Sequence, residues 1–421
     1  GDPKRKALYL HNAVVIDDAF MHAVEQDGLY DLRSPKTNAT IKQVKARDIW
    51  IRILTSRIET GEPYILFIDN INRHLPEYQK KAGLSVRMSN LCSEIVLPTG
   101  PDQYGKERTA VCCLSSVNLE NFEEWSKEPQ FIADLMAYLD NILQDFIDRA
   151  PDAMERARYS AMRERAVGLG AMGFHSFLQM KGIAFESVMA KVWNKKMFKF
   201  IKDQADAASV KLAHERGPNP DAAEALVMER FSHKIAIAPN ASSSIYCGNA
   251  SPGIEPYPSN SYNHKTLEGT FNVRNKHLKK VLANYGRDDE DTWTSITVNG
   301  GSVMHLDFLT DEERDVFKTA FELDQRWLIE HAADRTPYIC QAQSLNVFLP
   351  SDVHKRDLHM LHYTAWKRGI KTLYYCRSKS LQRAEVVSLP NNKSAAEPKA
   401  QVALKATGTD GAKYEECLAC Q

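Results

Sequence analysis

Asn90, Cys92 and Glu94 are spaced by two in the run Met88-Ser89-Asn90-Leu91-Cys92-Ser93-Glu94-Ile95. In an extended segment all three side chains would leave one face. An amide, a thiol and a carboxylate would then share a pocket, which places a reactive sulfur beside a base. Taken alone, such a triplet is more often a small buried cysteine between a loop amide and a solvated acid.

Other stretches could join it. Val111-Cys112-Cys113-Leu114-Ser115 sets Cys112 in an apolar strand, where a lone thiol is usually core. Ala238-Pro239-Asn240-Ala241-Ser242-Ser243-Ser244 is a turn-prone run of hydroxyls and backbone N–H groups after a strand, a form that suits phosphate. The plain alternative is a serine-rich loop. Tyr374-Tyr375 closes the last apolar strand, where one ring would face the core and the other a partner or solvent. Cys417 and Cys420 form a terminal C-x-x-C pair.

The elements that must position these residues alternate. Helical spacing covers 41–60, stopping at Gly61, and then about 130–149, 152–181, 190–216, 311–333 and 351–368. Between them lie strand-like runs at 64–68, 94–97, 109–114, 234–238, 344–349 and 371–375, with Asp69-Asn70 opening a polar loop. Long helices alternating with buried strands predict an α/β core. The unit 1–378 is expected to be that core. Segment 379–421 is expected to be a flexible tail, because 391–413 lacks aromatic residues and cannot offset its ordering entropy. A soft tether of roughly 30 residues would reach about 30 Å.

Composition narrows the function classes. The 421 residues carry 54 Lys and Arg against 54 Asp and Glu, and 43% are hydrophobic. A balanced, apolar-rich chain is not a disordered one, and it lacks the general positive field of nucleic-acid and membrane-surface binders. No direct DNA or RNA binding and no membrane attachment are expected. The chain has neither an apolar run long enough to span a bilayer nor the apolar core of a signal peptide, so a cytoplasmic protein is expected. Eight scattered cysteines do not make a disulfide scaffold.

Taken together, these motifs resemble the large, catalytic subunit of class I ribonucleoside-diphosphate reductase. The resemblance rests on Ser89 to Ile95, the Cys112 strand, Pro239 to Ser244 with Gly253-Ile254-Glu255-Pro256, Gln343-Ser344-Leu345-Asn346, Leu373-Tyr374-Tyr375 and the terminal C-x-x-C, all in that family's order. It implies reduction of ribonucleoside diphosphates to 2′-deoxyribonucleoside diphosphates for DNA synthesis. Cys92 would be the thiyl radical that abstracts the ribose 3′-hydrogen, Glu94 the base for the 3′-hydroxyl and Asn90 a holder of substrate hydroxyls. Ser89, Leu91 and Ser93 would line the substrate with them, and Pro239, Asn240, Ala241, Ser242 and Ser243 would hold its phosphates. Cys112 would be half of the reducing dithiol. Tyr374 and Tyr375 would relay the radical, and Cys417 and Cys420 would re-reduce the disulfide and be reduced by thioredoxin or glutaredoxin. No cofactor or metal is implied in this chain. The radical would come from a di-iron centre with a tyrosyl radical in a partner small subunit.

The resemblance covers only the carboxyl-terminal part of that family's subunit. It implies the second half of a ten-stranded α/β barrel with a catalytic finger loop; either the subunit is split, a further chain supplying the first half and the disulfide partner of Cys112, or this is a fragment. Asn240-Ala241 lacks an acidic residue often found in the phosphate loop. Two alternatives differ in chemistry. A cobalamin-dependent reductase would need no tyrosine relay. A non-catalytic, barrel-completing subunit could use Cys417 and Cys420 as half of a zinc site, with Cys376 and His354 or His362 supplying the rest.

Overall fold

The computed structural model describes residues 10–266, 269–350 and 352–379. Tyr64–Phe67 is buried along its whole length, as expected of a strand covered on both faces. It pairs in parallel with Ala13–Ile16, Ile65 lying opposite Val14, and antiparallel with Thr372–Leu373. The next link is Tyr374 N–H to the Leu345 carbonyl at 2.8 Å. Val347–Pro350 then runs parallel to Cys376–Lys379. Parallel bridges join Ile237 to Gln343 and Leu169 to Ile235, and Gly168–Met172 pairs in parallel with Leu114–Asn118. Among the described residues, no ladder joins the outer members Ala13–Ile16 and Leu114–Asn118. The expected α/β class holds.

Helices wrap this run of strands. Ala46–Thr60 ends at Gly61, whose φ of 84° lets its N–H return to the Arg57 carbonyl, a turn that glycine makes without strain. Val188–Arg216 starts at Ser187, whose side chain accepts from the Ala190 N–H. It packs in one apolar core with Phe131–Arg149 and Gln325–Arg335, through Phe198, Leu139 and Ile329 among others. Arg165, Arg216 and Arg230 converge on the buried carboxylate of Asp140 at 2.6, 2.8 and 3.0 Å. The buried Lys371 donates to the carbonyls of Ile339, Cys340 and Gln341 at 2.9, 2.8 and 2.6 Å. That ammonium fixes the chain just ahead of Ser344. No described helix is long and apolar enough to cross a membrane.

The main departure from the sequence reading lies at 152–181. One helix is expected there, but Glu155–Glu164 ends at Arg165, with φ of 44°, and Gly168–Met172 is a fully buried strand before the helix Phe174–Met180. Glycine hides the strand from any propensity argument and close packing requires it. A Cβ on Gly168 would lie 2.3 Å from Leu114 Cδ2, and one on Gly170 would lie 2.6 Å from the Ala236 carbonyl oxygen.

Smaller corrections follow the same logic. Thr40–Lys45 pairs as a strand with Leu29–Arg33, so the first expected helix begins only at Ala46. Asp69 and Asn70 lie in the short helix Ile68–Arg73. The 311–333 stretch divides into Asp311–Val316 and Gln325–Arg335, each with its own N-cap, Thr310 and Asp324. The strand expected at 109–114 is Leu114–Asn118, which places Cys112 ahead of the strand, exposed. Residues 94–97 form no ladder; the Glu94 carbonyl accepts instead from the Ala342 N–H at 2.9 Å.

Candidate active site

Asn90, Cys92 and Glu94 do meet, but a turn brings them together rather than an extended strand. The Ser93 N–H returns to the Asn90 carbonyl at 3.2 Å, and the Asn90 N–H donates to the Ile95 carbonyl at 3.2 Å. Ser93 takes a left-handed φ of 64°, uncommon for a residue with a side chain. Asn90 closes the turn with both ends of its amide. Its Oδ1 accepts from the Ile95 N–H at 3.1 Å, and its Nδ2 donates to Glu94 Oε1 at 2.9 Å. The result is a loop tip with Leu91 exposed and Cys92 turned into the protein.

Glu94 is buried, and burial is the main influence on it, holding its carboxyl above the ordinary range against hydrogen bonds from Asn90 and Ser344 that favour the charged form. Ser344 touches two parts of the turn, with its Oγ 2.5 Å from the Cys92 carbonyl oxygen and 2.9 Å from Glu94 Oε2. The motif containing Ser344 was visible in the sequence. Its partner was not, because that contact closes across 250 residues of chain.

On its other side Cys92 packs with Tyr64, Tyr374 and Tyr375. Ring centroids lie 4.4 Å apart for Tyr374 and Tyr375, 4.6 Å for Tyr64 and Tyr374 and 5.0 Å for Tyr64 and Tyr375. Burial, then the neighbouring Cys92 and Tyr375, hold the Tyr374 hydroxyl well above the usual tyrosine range. Burial does the same to Tyr64. Tyr375 is half-buried, and its N–H donates to Asn346 Oδ1 at 3.0 Å. Sequence reasoning missed Tyr64. Its only signal was a hydroxyl-bearing ring opening an otherwise aliphatic and phenylalanine strand.

The Pro239 to Ser243 loop leads into a short helix, Ala241–Tyr246, through Asn240 at φ 56°. The Asn240 side chain is engaged, accepting from Ser116 Oγ at 3.1 Å and donating to the carbonyls of Ala171 and Ala238. Gly253, at φ 54°, lies against this loop; a Cβ there would be 3.1 Å from the Ala238 carbonyl oxygen. Two residues on, the buried Glu255 accepts from both the backbone and side-chain nitrogens of Asn346 at 2.9 and 3.1 Å. Asn346 thus joins the segment that follows the 239–243 loop to Tyr375.

Cys113 is core, near the Leu139 carbonyl, and burial pushes its thiol up to about 11. Cys417 and Cys420 lie outside the described residues, as does nearly all of the expected tail. Among the described residues there is no cluster of three or more potential metal ligands. Of the residues offered for the zinc alternative, His362 is engaged at both ring nitrogens, its Nδ1 bonding the Leu358 carbonyl while its Nε2 accepts from Arg57.

The sequence matches the family described as ribonucleotide reductase, barrel domain, over residues 1–229 and 221–376. The chain belongs to this family. It is 46% identical over 375 residues to the ribonucleoside-diphosphate reductase large subunit of Invertebrate iridescent virus 3, covering 88% of this chain and 58% of that one. The large subunit of Caenorhabditis elegans is 30% identical over 475 residues, covering 100% of this chain and 59% of that one. Among solved structures, the class Id ribonucleotide reductase alpha subunit of Actinobacillus ureae superposes with a TM-score of 0.77 at 35% identity, over 88% of this chain and 65% of that one. The chain therefore spans about three fifths of the length of these reductase relatives. The family match bears out the resemblance read from the motifs.

Proposed function

We propose that this chain carries the centre at which ribonucleoside diphosphates are reduced to 2′-deoxyribonucleoside diphosphates, the precursors of DNA. The observation that carries this reading is the placement of Cys92, packed against Tyr374 on one side and held in a turn with Glu94 and Asn90 on the other. As a thiyl radical, Cys92 breaks the ribose C3′–H bond and forms S–H, leaving the radical on C3′. Asn90 holds the substrate hydroxyls, and Glu94 takes the 3′-hydroxyl proton. The raised proton affinity of that buried carboxyl suits a group that must take a proton and give it back.

The 2′-hydroxyl then leaves as water with one thiol proton. A pair of thiols, one of them Cys112, becomes a disulfide and supplies the two electrons and the hydrogen that replaces the hydroxyl. Glu94 returns its proton, Cys92 returns its hydrogen to C3′, and the thiyl radical is restored. Residues Pro239 to Ser243 hold the phosphates, and Ser89, Leu91 and Ser93 line the sugar side. Tyr374 and Tyr375 pass the radical from a partner small subunit bearing a di-iron centre and tyrosyl radical, since electron hops need redox-active rings in contact. A polypeptide that completes the sheet between Ala13–Ile16 and Leu114–Asn118 supplies the disulfide partner of Cys112. Cys417 and Cys420 then regenerate the dithiol with thioredoxin or glutaredoxin.

The test is Cys92→Ser in the complete assembly with its radical-bearing partner. Deoxynucleotide formation should fall to background while nucleotide binding, followed by equilibrium dialysis, stays unchanged. Retained turnover would remove Cys92 from the chemistry.

A further inference from the structure

The radical route through Tyr375 leaves one particle unplaced, its hydroxyl proton, and a role for any acceptor of that proton rests on the proposed route. A phenol that loses an electron becomes a strong acid, so the proton needs a base within hydrogen-bond reach. The inner ring, Tyr374, faces Cys92. The outer ring faces something different. His11 Nδ1 lies 3.1 Å from the Tyr375 hydroxyl, 3.1 Å from the Tyr64 hydroxyl and 2.9 Å from Glu62 Oε1. The imidazole lies nearly parallel to the Tyr64 ring, at 13°, and edge-on to Tyr375, at 78°. Glu62 is itself anchored, its Oε2 accepting from the Asn12 N–H at 3.3 Å.

We propose that His11 is the base that takes the Tyr375 hydroxyl proton when the radical enters and returns it when the radical passes back out to the partner, with Glu62 holding the imidazolium in between.

The geometry has two exclusive states. A single ring nitrogen can accept from a tyrosine hydroxyl with its lone pair, or donate to Glu62 with an N–H, but not both. Those are the states before and after a proton transfer. Before it, neutral His11 accepts from Tyr375. When a one-electron oxidant, the radical of the partner subunit, removes an electron from Tyr375, the O–H bond breaks and an N–H forms on Nδ1. The new cation lies 2.9 Å from the Glu62 carboxylate, a charge-assisted contact. Tyr375 is left as a neutral radical. Tyr374, its ring centroid 4.4 Å away, then gives Tyr375 an electron together with its own hydroxyl proton, so Tyr375 is a phenol again, Tyr374 is the neutral radical, and Nδ1 keeps its proton until the radical leaves by the same route. Arg377 lies 5.1 Å over the Tyr375 ring, so a ring that kept its proton would place a second positive charge beside a guanidinium. Loss of the proton with the electron avoids that. Tyr64 offers the same nitrogen a second hydroxyl and keeps the imidazole in place between the two rings.

The test uses the chain assembled with its radical-bearing partner. His11→Gln can still hydrogen-bond Tyr375 but cannot take a proton, and its turnover should fall about 100-fold, the usual scale for a lost general base, with nucleotide binding unchanged. His11→Ala should fall as far and be restored by added imidazole, with substituted imidazoles restoring it in the order of their basicity. Normal turnover in His11→Gln, or a loss in His11→Ala that no imidazole restores, overturns the proposal. Tyr375→Phe separates the two levels. If it is inactive while His11→Gln is active, only the role of His11 fails; if Tyr375→Phe itself turns over normally, the relay fails and the role of His11 with it.

Discussion

Ser344 Oγ lies 2.9 Å from Glu94 Oε2, and the same hydroxyl is 2.5 Å from the Cys92 carbonyl oxygen. One hydroxyl proton cannot serve both acceptors. With Glu94 protonated, the acid donates to Ser344 and Ser344 donates to Cys92. With Glu94 ionised, the hydroxyl proton turns to the carboxylate and the Cys92 carbonyl loses its donor. The charge on Glu94 is thereby coupled to the turn that carries the thiol.

This coupling has a pH signature. Burial raises the Glu94 carboxyl, so a base that must be ionised gains activity as pH climbs through a value above the ordinary glutamate range. In Ser344→Ala the ionised carboxylate loses a donor, and the acid limb of kcat/KM should move to higher pH, with kcat lowered about tenfold, the scale of one hydrogen bond. Glu94→Gln should remove the limb and lower kcat far more than it weakens binding. An acid limb that stays in place in both variants would show that Glu94 is not the titrating base.

The three rings predict a graded series. Tyr374→Phe and Tyr375→Phe should each reduce turnover driven by the partner subunit to background, because phenylalanine is too hard to oxidise. Tyr64→Phe keeps its ring contacts and loses only hydroxyl bonds, so a loss of about tenfold or less is expected. Steady-state turnover of the three variants side by side reads this out, and equal, complete loss in Tyr64→Phe would make Tyr64 a member of the relay.

A different buried carboxyl should govern stability. Burial raises Glu164 to about 8, with Asp221 adding to the rise and Arg108 and the Gln79 amide opposing it. The folded state therefore holds a proton that the unfolded chain releases near pH 4.5. That contribution is complete below 4.5 and is lost as pH rises to about 8, by about 1.4 kcal/mol for each pH unit climbed. Glu164→Gln should flatten this slope and be more stable than the parent at pH 8, as seen in denaturant midpoints at a series of pH values. A parallel pair of curves would mean that Glu164 is already ionised in the folded protein.

Adjacent cysteines should behave as opposites. Cys112 is exposed, whereas Cys113 is buried with its thiol raised to about 11, so iodoacetamide near neutral pH should label Cys112 first, by mass spectrometry. After one turnover without reductant, Cys112 should resist labelling and appear in a disulfide with a cysteine of the polypeptide that completes the sheet. Changing Cys417 and Cys420 to serine should stop repeated turnover with thioredoxin and spare turnover with a small dithiol. A Cys112 that stays reduced through turnover would exclude it from the electron-supplying pair.

The sequence was most legible where chemistry and periodicity are local. The Asn90, Cys92 and Glu94 triplet, the tyrosine pair and the helices at 131–149 and 188–216 were all readable. The triplet was read as extended when it is a turn, because nothing local announces that Ser93 takes a positive φ. Gly168–Met172 was lost inside a helix because its glycines answer to Leu114 and Ala236, residues far away in the chain. The same holds for His11 and Tyr64: a histidine and a tyrosine separated by 53 positions gain meaning only once the strands Ala13–Ile16 and Tyr64–Phe67 lie side by side.

Asn346 is committed at three points. Its backbone N–H and its amide nitrogen both donate to Glu255, and its amide oxygen accepts from the Tyr375 N–H. Both ends of that side chain are spoken for, so the segment after the 239–243 loop and the strand carrying the tyrosines share one fastening with no slack. Any displacement of one must drag the other or break a buried bond. The spacing between the place where a nucleotide's phosphates would rest and the place where an electron would arrive is in that sense a machined tolerance, set by a single asparagine.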